Sequence, residues 1–244
     1  MPKINKNLYS KEEFRKLKSV EQAEKLDKRI KKKLTKNQKV SLKKFVTTPK
    51  TSTAFVVGNG TSRKDINIEK LKIYGTLYGC NALYRECKPD YLIAVDTKMI
   101  LEINEQGYQK TNTVWTNYNR AYERLKDFNF FKPSKGWSSG PTALWFAAQQ
   151  GFKTIYILGF DYKGLDSGKK FNNMYADTKN YKRSSDGATF YGNWLRQTQQ
   201  VIEGHPNINF VRVIEFNTYQ PVELKDYKNL SVMQKEQFCH IHNL

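Results

Sequence analysis

Small polar residues and glycines recur at spacings that suit binding of a phosphorylated ligand. The first group is Thr53–Ser62, where a β-branched and aromatic run meets Gly58-Asn59-Gly60 and then Thr61 and Ser62. Such a run reads as a buried strand, and the glycines as the turn that leaves it. Glycine lets a backbone approach a phosphate closely, while a following hydroxyl residue donates to it or caps a helix. Asn81, Asp96, Ser138-Ser139-Gly140 and Asp161 follow, each at the end of an expected strand or at the start of the next helix. In a doubly wound sheet those positions share one rim, where ligands bind. Ser139 and Gly140 also open a helix with Pro141 in its first turn, offering free N–H groups and a positive dipole end to an anion. Each residue alone also fits an ordinary turn or helix cap; the argument lies in their recurrence.

Other chemistries find less support. The first turn has no lysine where a P-loop needs one, and Arg63 stands where a dinucleotide fingerprint needs glycine. The histidines His205, His240 and His242 form no metal or triad pattern, and the last two are expected in a disordered tail. Cys80, Cys87 and Cys239 have no ligand-like spacing and read as reduced thiols in a cytoplasmic protein. No apolar run approaches the length of a membrane span. No metal site is expected.

The elements that must position these residues alternate strand and helix from residue 53 onward, which predicts an α/β, Rossmann-like (GT-A-like) fold: a mostly parallel sheet with helices on both faces. Strands are expected at 54–57, 73–79, 91–95, 113–116, 154–158 and 209–216, and helices at 82–87, 99–105, 139–150 and 189–203. Residues 117–136 read as irregular. The polar stretch 162–187 is long for a plain connection and reads as a lid or substrate loop. These elements define a nucleotide-binding domain over 51–220 and a C-terminal tail over 221–244, with a helix at 231–238.

The 244-residue chain carries a net charge of +19, and residues 1–50 hold 17 Lys and Arg against 5 Asp and Glu. Ser10 and Glu13 form a capping box, and Phe14, Leu17, Val20, Ala23, Leu26, Ile30 and Leu34 make one stripe of a basic amphipathic helix. Three readings of that helix stay open: packing on the main domain, a nucleic-acid partner held through residues 10–45, or an anionic membrane surface.

Taken together, Gly58-Asn59-Gly60-Thr61-Ser62, Gly79-Cys80-Asn81, Ser138-Ser139-Gly140 and the run from Gly151 to Asp161 resemble the bacterial sialyltransferases typified by the Campylobacter enzymes. The same skeleton is similar to the wider group that includes the archaeal 6-hydroxymethylpterin diphosphokinases, which Lys88-Pro89-Asp90-Tyr91 leading into Asp96 fits better. The likeness covers roughly residues 53–216. The resemblance implies a nucleotide-sugar donor, such as a CMP- or UDP-sugar, with no resident cofactor. Asn59, Asn81 and Ser139 would contact nucleotide and phosphate, with Asp161 beside them. Tyr175 and Tyr191 match family tyrosines at the leaving phosphate and the donor. Lys163 stands where the family has a second phosphate tyrosine, and Asn193 where it has its histidine base. That leaves Asp186 or Asp177 as the nearest candidate base. The expected activity is glycosyl transfer, with DNA as one acceptor for a phage-encoded member. The alternatives are a catalytically inactive, nucleic-acid-binding or virion-associated protein, and Mg-dependent diphosphoryl transfer.

Overall fold

The computed structural model describes residues 51–244; the expected basic helix lies outside the described residues. Eight strands form one sheet: β1 (Thr53–Val57), β2 (Thr76–Cys80), β3 (Tyr91–Ile93), β4 (Val114–Asn117), β5 (Asn129–Phe131), β6 (Thr154–Leu158), β7 (Asn209–Ile214) and β8 (Leu230–Gln234). Their order is β5-β4-β3-β2-β1-β6-β7-β8, and every adjacent pair is parallel. The helices are α1 (Thr97–Gln106), α2 (Ser139–Ala148), α3 (Gly192–Gly204) and α4 (Lys235–Ile241). Rossmann-like α/β architecture is therefore the fold.

Successive strands step outward from β1 to β5, after which the chain crosses back through α2 to place β6 on the other side of β1. The reversal opens a crevice between β1 and β6 at their carboxyl ends. A strand buried on both faces needs apolar residues at every position. In β1, Ala54 and Val56 join one core with α2 and α3, while Phe55 and Val57 join the other with α1 and α4. Ala143, Ala147 and Ala148 let α2 lie close against the sheet, and it is buried on nearly every side.

Two stretches differ from expectation. The segment read as irregular contains β5, an edge strand of three residues whose Phe131 stacks on Trp115 at 4.9 Å. Three residues are too few to show a period. In the expected tail, the first half of the 231–238 stretch belongs to β8, paired along β7, and the expected helix begins only at Lys235, as α4. β8 is an edge strand with half-exposed faces, so its Leu-Ser-Val-Met-Gln sequence lacks a strong alternation. His242 is buried against the rings of Phe55, Tyr74, Tyr156 and Phe238, and so belongs to the core.

Candidate nucleotide-binding cleft

A cleft of about 230 Å³ opens at the β1/β6 crevice. The expected residues Gly58, Asn59, Gly60, Asn81 and Asp96 line one side of the reversal. Ser138, Ser139, Gly140, Asp161, Lys163 and Tyr191 line the rest. Ser62, Tyr175 and Asp186 lie outside the lining.

The glycines do a different job from the one their sequence suggests. Gly58 N donates to Leu158 O at 2.7 Å and Gly60 N to Gly159 O at 2.9 Å, tying the turn after β1 to the turn after β6. A Cβ on Gly58 would sit 2.6 Å from Gly159 O, and one on Gly60 would sit 2.7 Å from Asp161 Oδ1. Close approach of the two turns therefore requires glycine at both positions. The Asp161 carboxylate then accepts from Ser62 N at 3.0 Å and from the Ser62 hydroxyl. Thr61 donates from N and Oγ1 to Asn172 Oδ1, at 2.9 and 2.8 Å. The N–H groups expected to cradle a phosphate are thus filled from within. Gly58, Gly60, Ser62 and Asp161 brace the cleft, and Asp161 occupies the anion position itself.

Free hydrogen-bonding capacity lies elsewhere. Asn59 Nδ2 donates to Tyr181 Oη at 3.3 Å and Cys80 O at 3.4 Å, while its Oδ1 is buried with no partner among the described residues. At α2, Ser138 is the N-cap residue, yet its side chain makes no capping bond. Its carbonyl accepts from Thr142 N and Oγ1, at 3.0 and 2.8 Å. Pro141 brings no N–H, so the donors at this helix end are Ser139 and Gly140. The Ser139 hydroxyl donates to Asn81 Oδ1 at 2.7 Å and accepts from Val95 N at 3.1 Å. Asn81, held at φ +51°, donates from Nδ2 to Asp96 Oδ2 at 3.0 Å. One chain of bonds therefore links the α2 N-terminus to the carboxylate after β3.

Two cations add positive potential. Lys163 Nζ lies 5.0 Å from the Tyr219 ring centre. Arg212, buried beneath the turn after β6, donates through Nε and Nη2 to Phe160 O and through Nη2 to Tyr219 O. Burial lowers its pKa, with Tyr162 and Asp161 opposing that shift. Among the described residues it makes no ion pair, since its acceptors are carbonyls. Tyr191 precedes α3 and stacks beside Phe190, and Trp194 completes that wall.

Tyr175 departs from the expected role. Its hydroxyl donates to Glu86 Oε1 at 2.7 Å and accepts from Arg63 Nη2 at 3.1 Å, and Arg63 and Glu86 pair directly at 2.6 Å. Burial pushes this phenol well above its ordinary value, so it serves as a structural tie. Asp186 accepts from Arg183 N at 2.9 Å, and Asp177 from Ser184 N at 3.0 Å; both shape their own exposed loop. Asn193 is exposed and bonded to Arg196, outside the lining.

The 162–187 stretch packs onto the domain and supplies Phe171, Asn172, Asn173 and Tyr181 to the cleft. Met174 N donates to Asn59 O at 2.7 Å, Arg85 Nη1 to Thr178 Oγ1 at 2.8 Å, and Asn180 Nδ2 to Glu102 Oε2 at 2.6 Å. Because a polar loop carries no period, these tyrosine and asparagine contacts have no sequence signal. Arg212 did carry one: a charge inside the apolar run of β7.

Among the described residues no helix is long and apolar enough to cross a membrane, and no three His, Cys, Asp or Glu side chains are grouped to hold a metal ion. Comparison with protein-family models, curated proteins and solved structures found no match.

Proposed function

We propose that the protein is a transferase that binds a nucleotide-activated donor, a nucleotide sugar, in the β1/β6 cleft. The observation that carries this reading is convergence on one cleft: the residues that start α2, Lys163 and Asn59, whose buried Oδ1 has no partner among the described residues, all line it. The Ser139 and Gly140 N–H groups and Lys163 would hold phosphate charge, most strongly as the bond to the leaving phosphate breaks. Asn59 Oδ1 would accept from a hydroxyl or amine of the donor. Tyr191 and Trp194 offer faces for a base or sugar ring. The likeness of the rim residues to those of sialyltransferases supports a sugar donor. The basic N-terminal stretch supports a polyanionic acceptor such as DNA.

Titration calorimetry with CMP-, UDP- and GDP-linked sugars is expected to find one micromolar ligand. The Asn59→Ala variant should bind it about tenfold more weakly, as expected for loss of one buried hydrogen bond of about 1.4 kcal/mol. If no nucleotide sugar binds, the reading fails. A nucleic-acid-binding protein without turnover is the second reading, favoured by the exposed Asn193 at the position of the family base. Steeply salt-dependent DNA binding with no donor binding would select it.

A further inference from the structure

We infer that Asp96 is the proton acceptor for the attacking group, and that this group reaches it from a second hollow adjoining the donor cleft. The inference rests on the nucleotide-sugar reading above and goes beyond it. The second hollow is lined by Asn81, Asp96, Thr97, Lys98, Met99, Asn180 and Tyr181. It shares Asn81, Asp96 and Tyr181 with the donor cleft, so the two spaces adjoin along those side chains. Two carboxylates line the cleft, Asp161 and Asp96. Asp161 is committed to Ser62 and nine-tenths buried. Asp96 is exposed and lines both spaces.

The local conformation of Asp96 points the same way. It is the N-cap residue of α1, a position where an aspartate ordinarily accepts from the first-turn N–H groups and stabilises the helix by about 1 kcal/mol. Here the side chain makes no capping bond and turns instead to Asn81 Nδ2 at 3.0 Å. Asn81 is itself fixed from the other side by the hydroxyl of Ser139, the first residue of α2, whose start lines the donor cleft. Asn81 thus holds the carboxylate in register with the phosphate site, and Asp96 is left with accepting capacity toward the hollow. A free carboxylate at the junction of two spaces is the group that the position of Asn193 lacks.

In the reaction, an acceptor hydroxyl in the hollow attacks the anomeric carbon of the donor. The new C–O bond forms as the bond from that carbon to the phosphate oxygen breaks. The electron pair leaves with the nucleotide, and the hydroxyl proton passes to Asp96 Oδ. Water entering the hollow gives hydrolysis by the same step. Positioned bases of this kind contribute about 10²–10⁴-fold.

The test measures nucleotide release from CMP-, UDP- and GDP-sugars, with water as acceptor, alongside donor affinity by calorimetry. Asp96→Asn is expected to bind donor within about threefold of the parent while turnover falls about 100-fold or more. Asp96→Glu should restore part of the turnover. Release by Asp96→Asn within about threefold of the parent would overturn the assignment. Loss of donor affinity together with turnover would also overturn it, by making Asp96 part of the donor site. If the parent protein binds no donor, the nucleotide-sugar reading falls, and this assignment with it; if it binds donor and releases no nucleotide to water, this assignment alone falls.

Discussion

Substituting alanine for Gly60 tests the bracing of the cleft most directly. Gly60 has φ −65° and ψ 150°, a conformation alanine adopts without strain. The cost is therefore steric and local. The added Cβ would lie 2.5 Å from Asp161 Oδ2 and 2.7 Å from Oδ1, where no real Cβ can remain. The carboxylate must swing away from Ser62 and lose both of its hydrogen bonds while remaining in a buried setting. Each bond to a charged group is worth about 1.5–3 kcal/mol. Stripping a buried charge of its partners costs about 3–5 kcal/mol in total. Alanine returns about 0.4–1 kcal/mol by stiffening the unfolded chain. The net expectation is a loss of about 3 kcal/mol, or about 6–12 °C in Tm for a domain of this size.

Urea unfolding followed by circular dichroism measures it, with two comparisons that fix the cause. Gly151→Ala has open space around the new methyl and φ +84°, so it should show only a backbone cost of about 1–2 kcal/mol. In an Asp161→Ala background the obstructing carboxylate is gone, and Gly60→Ala should become nearly neutral, giving a coupling of about 2–3 kcal/mol in the double-mutant cycle. A Gly60→Ala protein within about 1 kcal/mol of the parent would refute the reasoning. Additive single and double mutants would refute it equally.

Two further outcomes concern ionisable groups away from the cleft. Burial alone would raise the Glu102 carboxyl, but hydrogen bonds from Arg85, Tyr84 and Asn180 outweigh it and hold the group below its ordinary value. That stabilisation is complete above the ordinary glutamate value of about 4.3 and is lost as pH falls through the lower folded value. Glu102→Gln should therefore cost about 3 kcal/mol at pH 6 and progressively less in acid, read from urea midpoints; a gap independent of pH would contradict it. Burial also pushes the Cys80 and Cys87 thiols up to about 12, whereas Cys239 is partly exposed. Titration of the native protein with a disulfide reagent should modify Cys239 first, and rapid reaction of all three thiols would show that the core opens readily.

Much of the sheet is legible because β1, β6 and β7 are largely apolar, buried and flanked by turn residues. The rim was legible for a related reason, since a parallel sheet brings every strand end to one edge. Asn59, Asn81, Asp96 and Ser139 could therefore be grouped without knowing any contact. The edge strands β5 and β8 were not legible, because half-exposed strands of three and five residues need no strict alternation. Individual roles were harder still. Tyr175 was assigned to a phosphate from its local motif, yet its neighbours Arg63 and Glu86 come from distant segments. Asp186 was nearest in sequence to the missing base, but sequence distance along a folded-back loop says little about where its carboxylate points.

The glycine turn shows why a motif can mark a site and still misname its own part in it. In a phosphate-binding turn, glycines expose N–H groups that converge on an anion. Here the glycine N–H groups close on the carbonyls of Leu158 and Gly159 between β1 and β6, and the following Ser62 closes on Asp161, a carboxylate supplied by the second turn. An internal anion at that point has two consequences. It fixes the β1 and β6 turns to one another, keeping the crevice open to a defined width. It also leaves the Ser139 and Gly140 N–H groups, at the start of α2, as the next helix-end donors along the rim. The start of α2 is joined to Asn81 and Asp96 through the Ser139 hydroxyl.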